Sequence, residues 1–250
     1  MLDLSRTKPI SVVIGTPTSG DNKMAYTLSL SGIMGATNPQ HIRPQQVPCA
    51  GSNIAENQNC LADKAEELGA DYLLLLETDM LVPPNALTRL VGHGKDIVGA
   101  VYPFKDADLL GRLYRGEDAP LRLMGHKLGG EMIRMEDLLE AADGALIEMN
   151  YIPMGLTLIS ARAIRTVRAW MKERFPPPEG LEHKLGPAFY HAIAYTEEHP
   201  RGFITTTDSA FCNAARAAGL DVWCDPQLSL ATVHVGDMHY GLAAPGVKAA

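Results

Sequence analysis

The stretch Ala70-Asp71-Tyr72-Leu73-Leu74-Leu75-Leu76-Glu77-Thr78-Asp79-Met80 decides the fold. Tyr72 to Leu76 is an unbroken apolar block with a carboxylate on either side. A short run of that kind fits a strand covered on both faces, as the strands of parallel sheets are. Glu77 and Asp79 follow at i and i+2, so in an extended chain both carboxylates leave on the same side. Ligands of open α/β sheets gather beyond the carboxyl ends of such strands. Two acids in that place suit a hard divalent cation and the phosphates it carries. A chain returning to water also shows acids after a buried strand, so the pair gains meaning only from its surroundings.

Upstream, Ile10 to Ile14 reads as a strand closed by Gly15-Thr16-Pro17-Thr18-Ser19-Gly20, and Asn22 is placed to cap a helix running to about Gly35. A second strand is expected from His41 to Pro48. From Ser52 the pattern turns helical, with Ile54, Leu61, Ala65 and Leu68 on one face and Gly69 as the stop. Downstream of the acids, Pro83-Pro84-Asn85 opens a helix over Ala86 to Val91, and Asp96 to Tyr102 reads as another strand. This alternation predicts an α/β fold with a mostly parallel central sheet flanked by helices. Residues 105 to 145 are expected to form loops with short strands. Ile147 to Ile159 reads as extended, with Gly155 inside, and a helix follows from Ala161 to Arg174, ended by Pro176-Pro177-Pro178. Residues 179 to 206 read as irregular, then a helix follows Asp208, a strand covers Val222 to Cys224 and a last strand runs from Leu230 to Val235. Residues 1–241 are expected to form a single domain, with 242–250 as a flexible tail. Gly15 and Gly20 do not make a dinucleotide fingerprint, because the GxGxxG spacing is absent.

Of the 250 residues, 46% are hydrophobic and 20% charged, which is enough apolar material for a packed core. A formal net charge of −7 argues against a general nucleic-acid binder, so an anionic ligand needs local cations or a metal. No stretch approaches the roughly 20 apolar residues of a transmembrane helix, and Met1-Leu2-Asp3-Leu4-Ser5-Arg6 lacks the apolar centre of a signal peptide. Cys49, Cys60, Cys212 and Cys224 form neither a CxxC pair nor a metal-type spacing. Reduced, packed thiols and a cytoplasmic location are the expectation.

The order of these pieces resembles a family-2-like glycosyltransferase of the GT-A fold. Val12-Val13-Ile14-Gly15-Thr16-Pro17 resembles the first strand and nucleotide loop, and Ser52-Asn53-Ile54 with Gln58-Asn59 stands where such enzymes carry an Arg-Asn pair. Glu77-Thr78-Asp79-Met80 is similar to the Asp-x-Asp motif, and Met154 to Ile159 to the glycine strand on the acceptor side. Thr207-Asp208-Ser209-Ala210-Phe211-Cys212 resembles the segment that carries the base, and His234 stands where a terminal metal-binding histidine lies. The segments span most of the chain; none is specific alone, and their order carries the match.

The resemblance implies transfer of a sugar, hexosyltransferase-like, from a nucleotide-diphosphate sugar to a hydroxyl acceptor, whether glycan, lipid-linked or small molecule. A single displacement with inversion is expected, since a base candidate is present and no paired nucleophile is evident. Mn²⁺ or Mg²⁺ would offset the charge growing on the departing diphosphate. Asp79 is implied as direct ligand, Glu77 as a contact to the ribose or to a metal-bound water, and His234 as a nitrogen ligand that tilts the choice toward Mn²⁺. Thr16, Pro17, Asn59, Glu77, Thr78, Asp79 and Gly155 are implied donor contacts. Asp208 is implied as general base; as a helix N-cap it would also have a lowered pKa. For His234, packing at a strand end against backbone is the competing expectation. Phe189, Tyr190, His191 and Tyr195 are placed either to stack on a sugar or to pack a loop.

Three departures from the pattern matter. Glu77 replaces an aspartate, Gln58 an arginine and Thr207 a glutamate. Two alternatives stay open: a sugar-phosphate nucleotidyltransferase on a related α/β sheet and, motivated by these departures, a degenerate nucleotide- or glycan-binding protein without turnover. The first is weakened by the stretch Thr16 to Lys23, which offers one lysine and no arginine to a triphosphate.

Overall fold

Tyr72–Leu76 forms strand β3, and its side chains divide between two separate cores: Leu73 and Leu75 enter one, Leu74 and Leu76 the other. All four leucines are fully buried. Successive side chains of a strand point to opposite faces, so an unbroken leucine run needs cover on both. The computed structural model describes residues 8–18, 20, 23–106, 108, 112, 114–117, 121–142, 144–174, 188–189, 193–194, 203–236 and 239–241. The expected tail at 242–250 and most of the irregular segment at 179–206 lie outside the described residues.

Strand β1 (Ile10–Thr18) runs parallel to β3 on one side and to β2 (Ile42–Ala50) on the other. β2 lies at the sheet edge and carries Pro44 and Pro48. Proline has no N–H to donate, and the two prolines are confined to the strand with only one neighbour. The eight-stranded sheet has the order β2-β1-β3-β8-β5-β11-β7-β6. It is completed by β5 (Ile97–Gly99), β6 (His126–Lys127), β7 (Ile147–Tyr151), β8 (Leu156–Ser160) and β11 (Val222–Cys224), while β9 (Ile193–Ala194) and β10 (Phe203–Ile204) form a separate antiparallel pair. β8 is antiparallel to both β3 and β5, and β7 to both β11 and β6. Six strands therefore share one direction and two oppose it: a mostly parallel sheet, as the alternation implied.

Helices α1 (Met24–Ala36), α2 (Ile54–Glu67), α3 (Ala86–Gly92), α4 (Met135–Glu140), α5 (Ala161–Arg174) and α6 (Thr207–Ala217) flank it, with a short α7 (Pro226–Ala231). Asn53 caps α2 by accepting from the N–H groups of Ala55 and Glu56. Gly69, at φ 63°, supplies the left-handed residue that ends its last turn. Arg168 on α5 reaches Asp63 and Glu66 on α2, tying the two helices on one face.

Several expectations need correction. Ile147 to Ile159 is two strands: β7 and β8 are separated by Ile152-Pro153-Met154-Gly155 and lie on different sides of β5 and β11. Leu230 belongs to α7, and the last stretch of the expected strand shortens to Val233–Val235 (β12). α1 starts after Lys23 without a side-chain cap, and the proposed cap Asn22 lies outside the described residues. Leu68, placed on the buried face of α2, is exposed because the helix has ended at Glu67.

A second, three-stranded sheet has the order β13-β12-β4, joining His239–Gly241 (β13), β12 and Met80–Leu81 (β4). It pairs His234 with Met80, so a histidine late in the chain arrives one residue from Asp79. Among the described residues no helix is long and apolar enough to cross a membrane.

Asp225, fully buried at the N-cap of α7, holds this half of the molecule together. Its Oδ1 accepts the Leu228 N–H at 3.0 Å, and its Oδ2 meets Arg89 and, at 2.7 Å, Nε2 of His93. Burial works to raise its pKa, but these partners outweigh burial and hold it below the usual value. A depressed carboxyl pKa contributes stability that is present above the unfolded value near 4 and is lost as pH falls toward the folded one. Asp225→Ala, which leaves a partly buried cation without its partner and removes a cap, is expected to cost about 2 kcal/mol, and Asp225→Asn, which keeps the cap, less. The gap in melting temperature between wild type and Asp225→Asn should close as pH falls from about 6 to about 3. A gap independent of pH would show that the charge contributes nothing.

Candidate active site at the carboxyl end of β3

Beyond Leu76 the chain turns sharply. Glu77 donates its N–H to the Gly155 carbonyl at 3.0 Å, and Met80 N–H closes the turn onto the Glu77 carbonyl at 3.3 Å. The turn sends Asp79 toward β12, where the Val235 N–H donates to the Asp79 carbonyl at 2.7 Å. His234 Nε2 then lies 3.5 Å from Asp79 Oδ2. Nδ1 of the same ring is 2.9 Å from the Pro103 carbonyl. A carbonyl only accepts, so Nδ1 carries the hydrogen, and Nε2 faces Asp79 as a donor in the charged ring and with a lone pair in the neutral one. His234 is buried and bonded to backbone, as the packing expectation had it, and its second ring nitrogen faces the acid.

Asp79 Oδ2 also receives the ammonium of Lys105, which comes from the segment after β5. Oδ1 is buried and has no hydrogen-bond partner. Burial would raise the Asp79 pKa, but hydrogen bonds from His234 and Lys105 hold it down at about 2. Glu77 behaves oppositely. Burial, then the charges of Asp208 and Asp79, push it up to about 8 against the pull of Lys105. Two carboxyls two residues apart are therefore held in different states by their surroundings.

Glu77, Thr78 and Asp79 line a cavity of about 300 Å³, whose other walls include Pro17, Thr18, Ser52 and Asn57. Its size is at the lower end of the small-molecule range. Of the residues assigned to the donor, Pro17, Glu77, Thr78 and Asp79 meet here. The other three are turned to internal use. Thr16 is buried, 2.5 Å from the Tyr26 hydroxyl. Asn59 accepts from the N–H groups of Ala188 and Phe189 at 2.9 and 3.1 Å and donates to the Phe189 carbonyl at 2.6 Å. That clamp seats Phe189 against Phe211, ring centroids 4.6 Å apart, so Phe189 is packing rather than a sugar platform. Tyr190, His191 and Tyr195 lie outside the described residues. Gly155 spends its N–H on the Tyr102 hydroxyl at 2.9 Å and its carbonyl on Glu77.

Asp208 approaches from the first turn of α6. The cap of that helix is Thr206, whose hydroxyl accepts the Ser209 N–H at 3.2 Å; Asp208 is not the cap. Instead, Asp208 Oδ2 reaches across to the Met154 N–H at 3.1 Å, and Thr207 donates to Oδ1 at 3.1 Å. Burial raises its pKa despite these bonds, opposite to the lowering that capping implied. Gln58 on α2 is fully buried and bears on the same carboxylate, although neither of its amide atoms makes a hydrogen bond of normal geometry. Two contributors escaped the sequence reading. Tyr102 ties Gly155 to the site and packs its ring edge on His234 at 4.9 Å, and Lys105 sits on Asp79. The only hint of Lys105 was a cation shortly after a strand that ends on the same side as β3.

The donor set fits a divalent cation in part. Asp79 offers Oδ2, which Lys105 holds, with His234 Nε2 3.5 Å from it, while Oδ1 is buried and without a partner. Among the described residues no three His, Cys, Asp or Glu groups converge into a complete cage, so Glu77 does not close the set. Such a site suits an ion that takes its remaining ligands from phosphate oxygens and water.

No protein-family model and no curated protein matches the chain. Solved structures similar to it include A197 from STIV, at 14% identity and a TM-score of 0.49, covering 91% of this chain and 86% of that one. A glycosyltransferase involved in the glycosylation of the major capsid of PBCV-1 is similar over 70% of this chain and 73% of its own, at 11% identity and a TM-score of 0.31. The galactosyltransferase LgtC, solved with donor and acceptor sugar analogs, is similar over 65% of this chain and 64% of its own, at 15% identity and a TM-score of 0.28.

The packing of Gly155 yields a direct prediction. A Cβ there would meet the Tyr102 hydroxyl oxygen at 2.3 Å and Glu77 Oε2 at 3.2 Å. Gly155→Ala should destabilise by about 1–3 kcal/mol through overpacking, and Tyr102→Phe in the same chain should recover part of that by removing the clashing oxygen. Equal melting temperatures for wild type and Gly155→Ala would mean the contact is slack.

Proposed function

We propose that the chain is a divalent-cation-dependent glycosyltransferase that moves a sugar from a nucleotide-diphosphate sugar to a hydroxyl acceptor with inversion. The observation that carries this reading is the meeting of Asp79 Oδ2 and His234 Nε2, 3.5 Å apart, with Asp79 in the wall of a cavity that it shares with Glu77, the acid on which the charge of the buried Asp208 acts. A nucleotide lying in the cavity would rest against Pro17, Thr18 and Ser52 and bring its diphosphate to Asp79. A Mn²⁺ or Mg²⁺ ion held by Asp79 and His234 would supply charge for the departing diphosphate.

Asp208 takes the proton of the acceptor hydroxyl as that oxygen attacks the anomeric carbon. A raised pKa strengthens a general base, because efficiency is best when the pKa approaches the working pH. The Met154 N–H and the Thr207 hydroxyl fix the carboxylate's orientation. Glu77, lining the cavity beside Asp79, is placed to hydrogen-bond a ribose or sugar hydroxyl.

Melting the protein with a panel of nucleoside diphosphates, with Mn²⁺ and with chelator, tests the donor half. Binding at a hundredfold excess over the dissociation constant adds about 2.7 kcal/mol, so one nucleotide should raise the melting temperature only with the metal. Asp79→Asn should abolish that shift. Asp208→Asn should keep it and lower turnover by roughly 10²–10⁴-fold. An unchanged shift in Asp79→Asn counts against the reading as a whole.

A further inference from the structure

We propose that Lys105 and the divalent cation compete for the same oxygen of Asp79, and that a nucleoside diphosphate resolves the competition by taking the Lys105 ammonium onto its phosphates. The inference rests on the donor-site reading above and extends it to a residue that reading did not use. Its starting point is geometry. Asp79 Oδ2 is the oxygen nearest His234 Nε2, and it is also the oxygen that Lys105 Nζ holds. A cation bound between Asp79 and His234 needs the space that the ammonium fills. The alternative oxygen, Oδ1, is buried.

The charge arrangement makes the ammonium a tethered substitute for the ion. Asp79, Glu77 and Asp208 bring three carboxyl groups to one rim, and Lys105 acts on the first two. Lys105 is over a third exposed, on the segment that follows Pro103, so it can leave Asp79 without disturbing a core. Displaced without a new partner, it would face an incoming divalent cation at close range, which is unfavourable. A diphosphate supplies the missing partner, since its oxygens accept from an ammonium as readily as a carboxylate does. A second ammonium flanks the same place. Lys23 donates to the Val235 carbonyl at 2.9 Å, and the N–H of that residue binds the Asp79 carbonyl.

Metal and nucleotide should then bind with positive coupling, and by linkage each tightens the other by the same factor. Lys105 would be the source of part of that coupling.

The experiment titrates Mn²⁺ alone into the full chain, following loss of the free-ion electron paramagnetic resonance signal, for wild type, Lys105→Met and Lys105→Arg. Lys105→Met should bind Mn²⁺ roughly twofold to fivefold more tightly than wild type, the range in which a partly exposed ion pair counts. Lys105→Arg, which keeps the competing charge, should stay near wild type. Asp79→Asn added to Lys105→Met should remove the gain, which locates it at Asp79. With UDP, GDP, CDP, ADP and dTDP supplied in turn, the effective nucleotide should tighten Mn²⁺ in wild type and do so less in Lys105→Met. Equal or weaker Mn²⁺ binding by Lys105→Met overturns the exchange and leaves the metal-dependent reading standing. Failure of wild type and Lys105→Met to bind millimolar Mn²⁺, with or without any of the five nucleotides, overturns both.

Discussion

The double-sided burial of Leu73 to Leu76 is the constraint from which the site follows. A strand sealed above and below has only its ends in contact with water, so polar chemistry in this part of the chain must begin where the leucines stop. The first residues past that end are Glu77 and Asp79. Their carboxyls meet a crowded rim because β8 runs against β3 in register, Leu76 opposite Leu156, and delivers Met154 and Gly155 to the same edge. The Gly155 carbonyl takes the Glu77 N–H, and the Met154 N–H takes Asp208. One short turn between two strands thus orients two of the three acids.

The third acid is set by a different sheet. β4 is only two residues long, yet its pairing with β12 brings a histidine from 155 positions downstream against Asp79. Pairing of this kind is specified by hydrogen bonds and register rather than by a local pattern. His234 could be suspected from its place in the order of segments, but its contact with Asp79 could not be read from Val233-His234-Val235 alone.

The same contrast explains what was legible. β3, α2, α5 and β11 were readable because each carries its own period or run: the leucine block, the Leu61–Ala65 face ending at Gly69, the helix closed before three prolines, and Val222-Trp223-Cys224. The division of residues 147 to 159 into two strands was hidden because both halves are apolar and extended. Only the turn at Ile152 to Gly155 separates them, and a glycine inside an extended run reads equally as a close approach. Thr16 and Asn59 carry the right residue types in the right order, but the fold uses their side chains to bind Tyr26 and the 188–189 backbone. Side-chain direction at a rim is decided by tertiary neighbours, and sequence order does not contain it. Lys105 lies in a stretch with no period at all, so nothing local marked it.

The electrostatics of the rim set the two acids apart. Asp79 and Glu77 are two residues apart and share the same cavity, but Asp79 receives a lysine and a histidine while Glu77 feels burial and two neighbouring carboxylates. The outcome is a pKa near 2 for one and near 8 for the other. Sites that separate the pKa values of paired acids assign them different work. The charged member is suited to a cation. The member that resists ionisation is suited to hydrogen bonding with hydroxyl groups, and glutamate at position 77 lengthens the reach of that carboxyl by one methylene. The substitution that looked in the sequence like a weakened Asp-x-Asp motif is, in this geometry, compatible with a division of labour between the two acids.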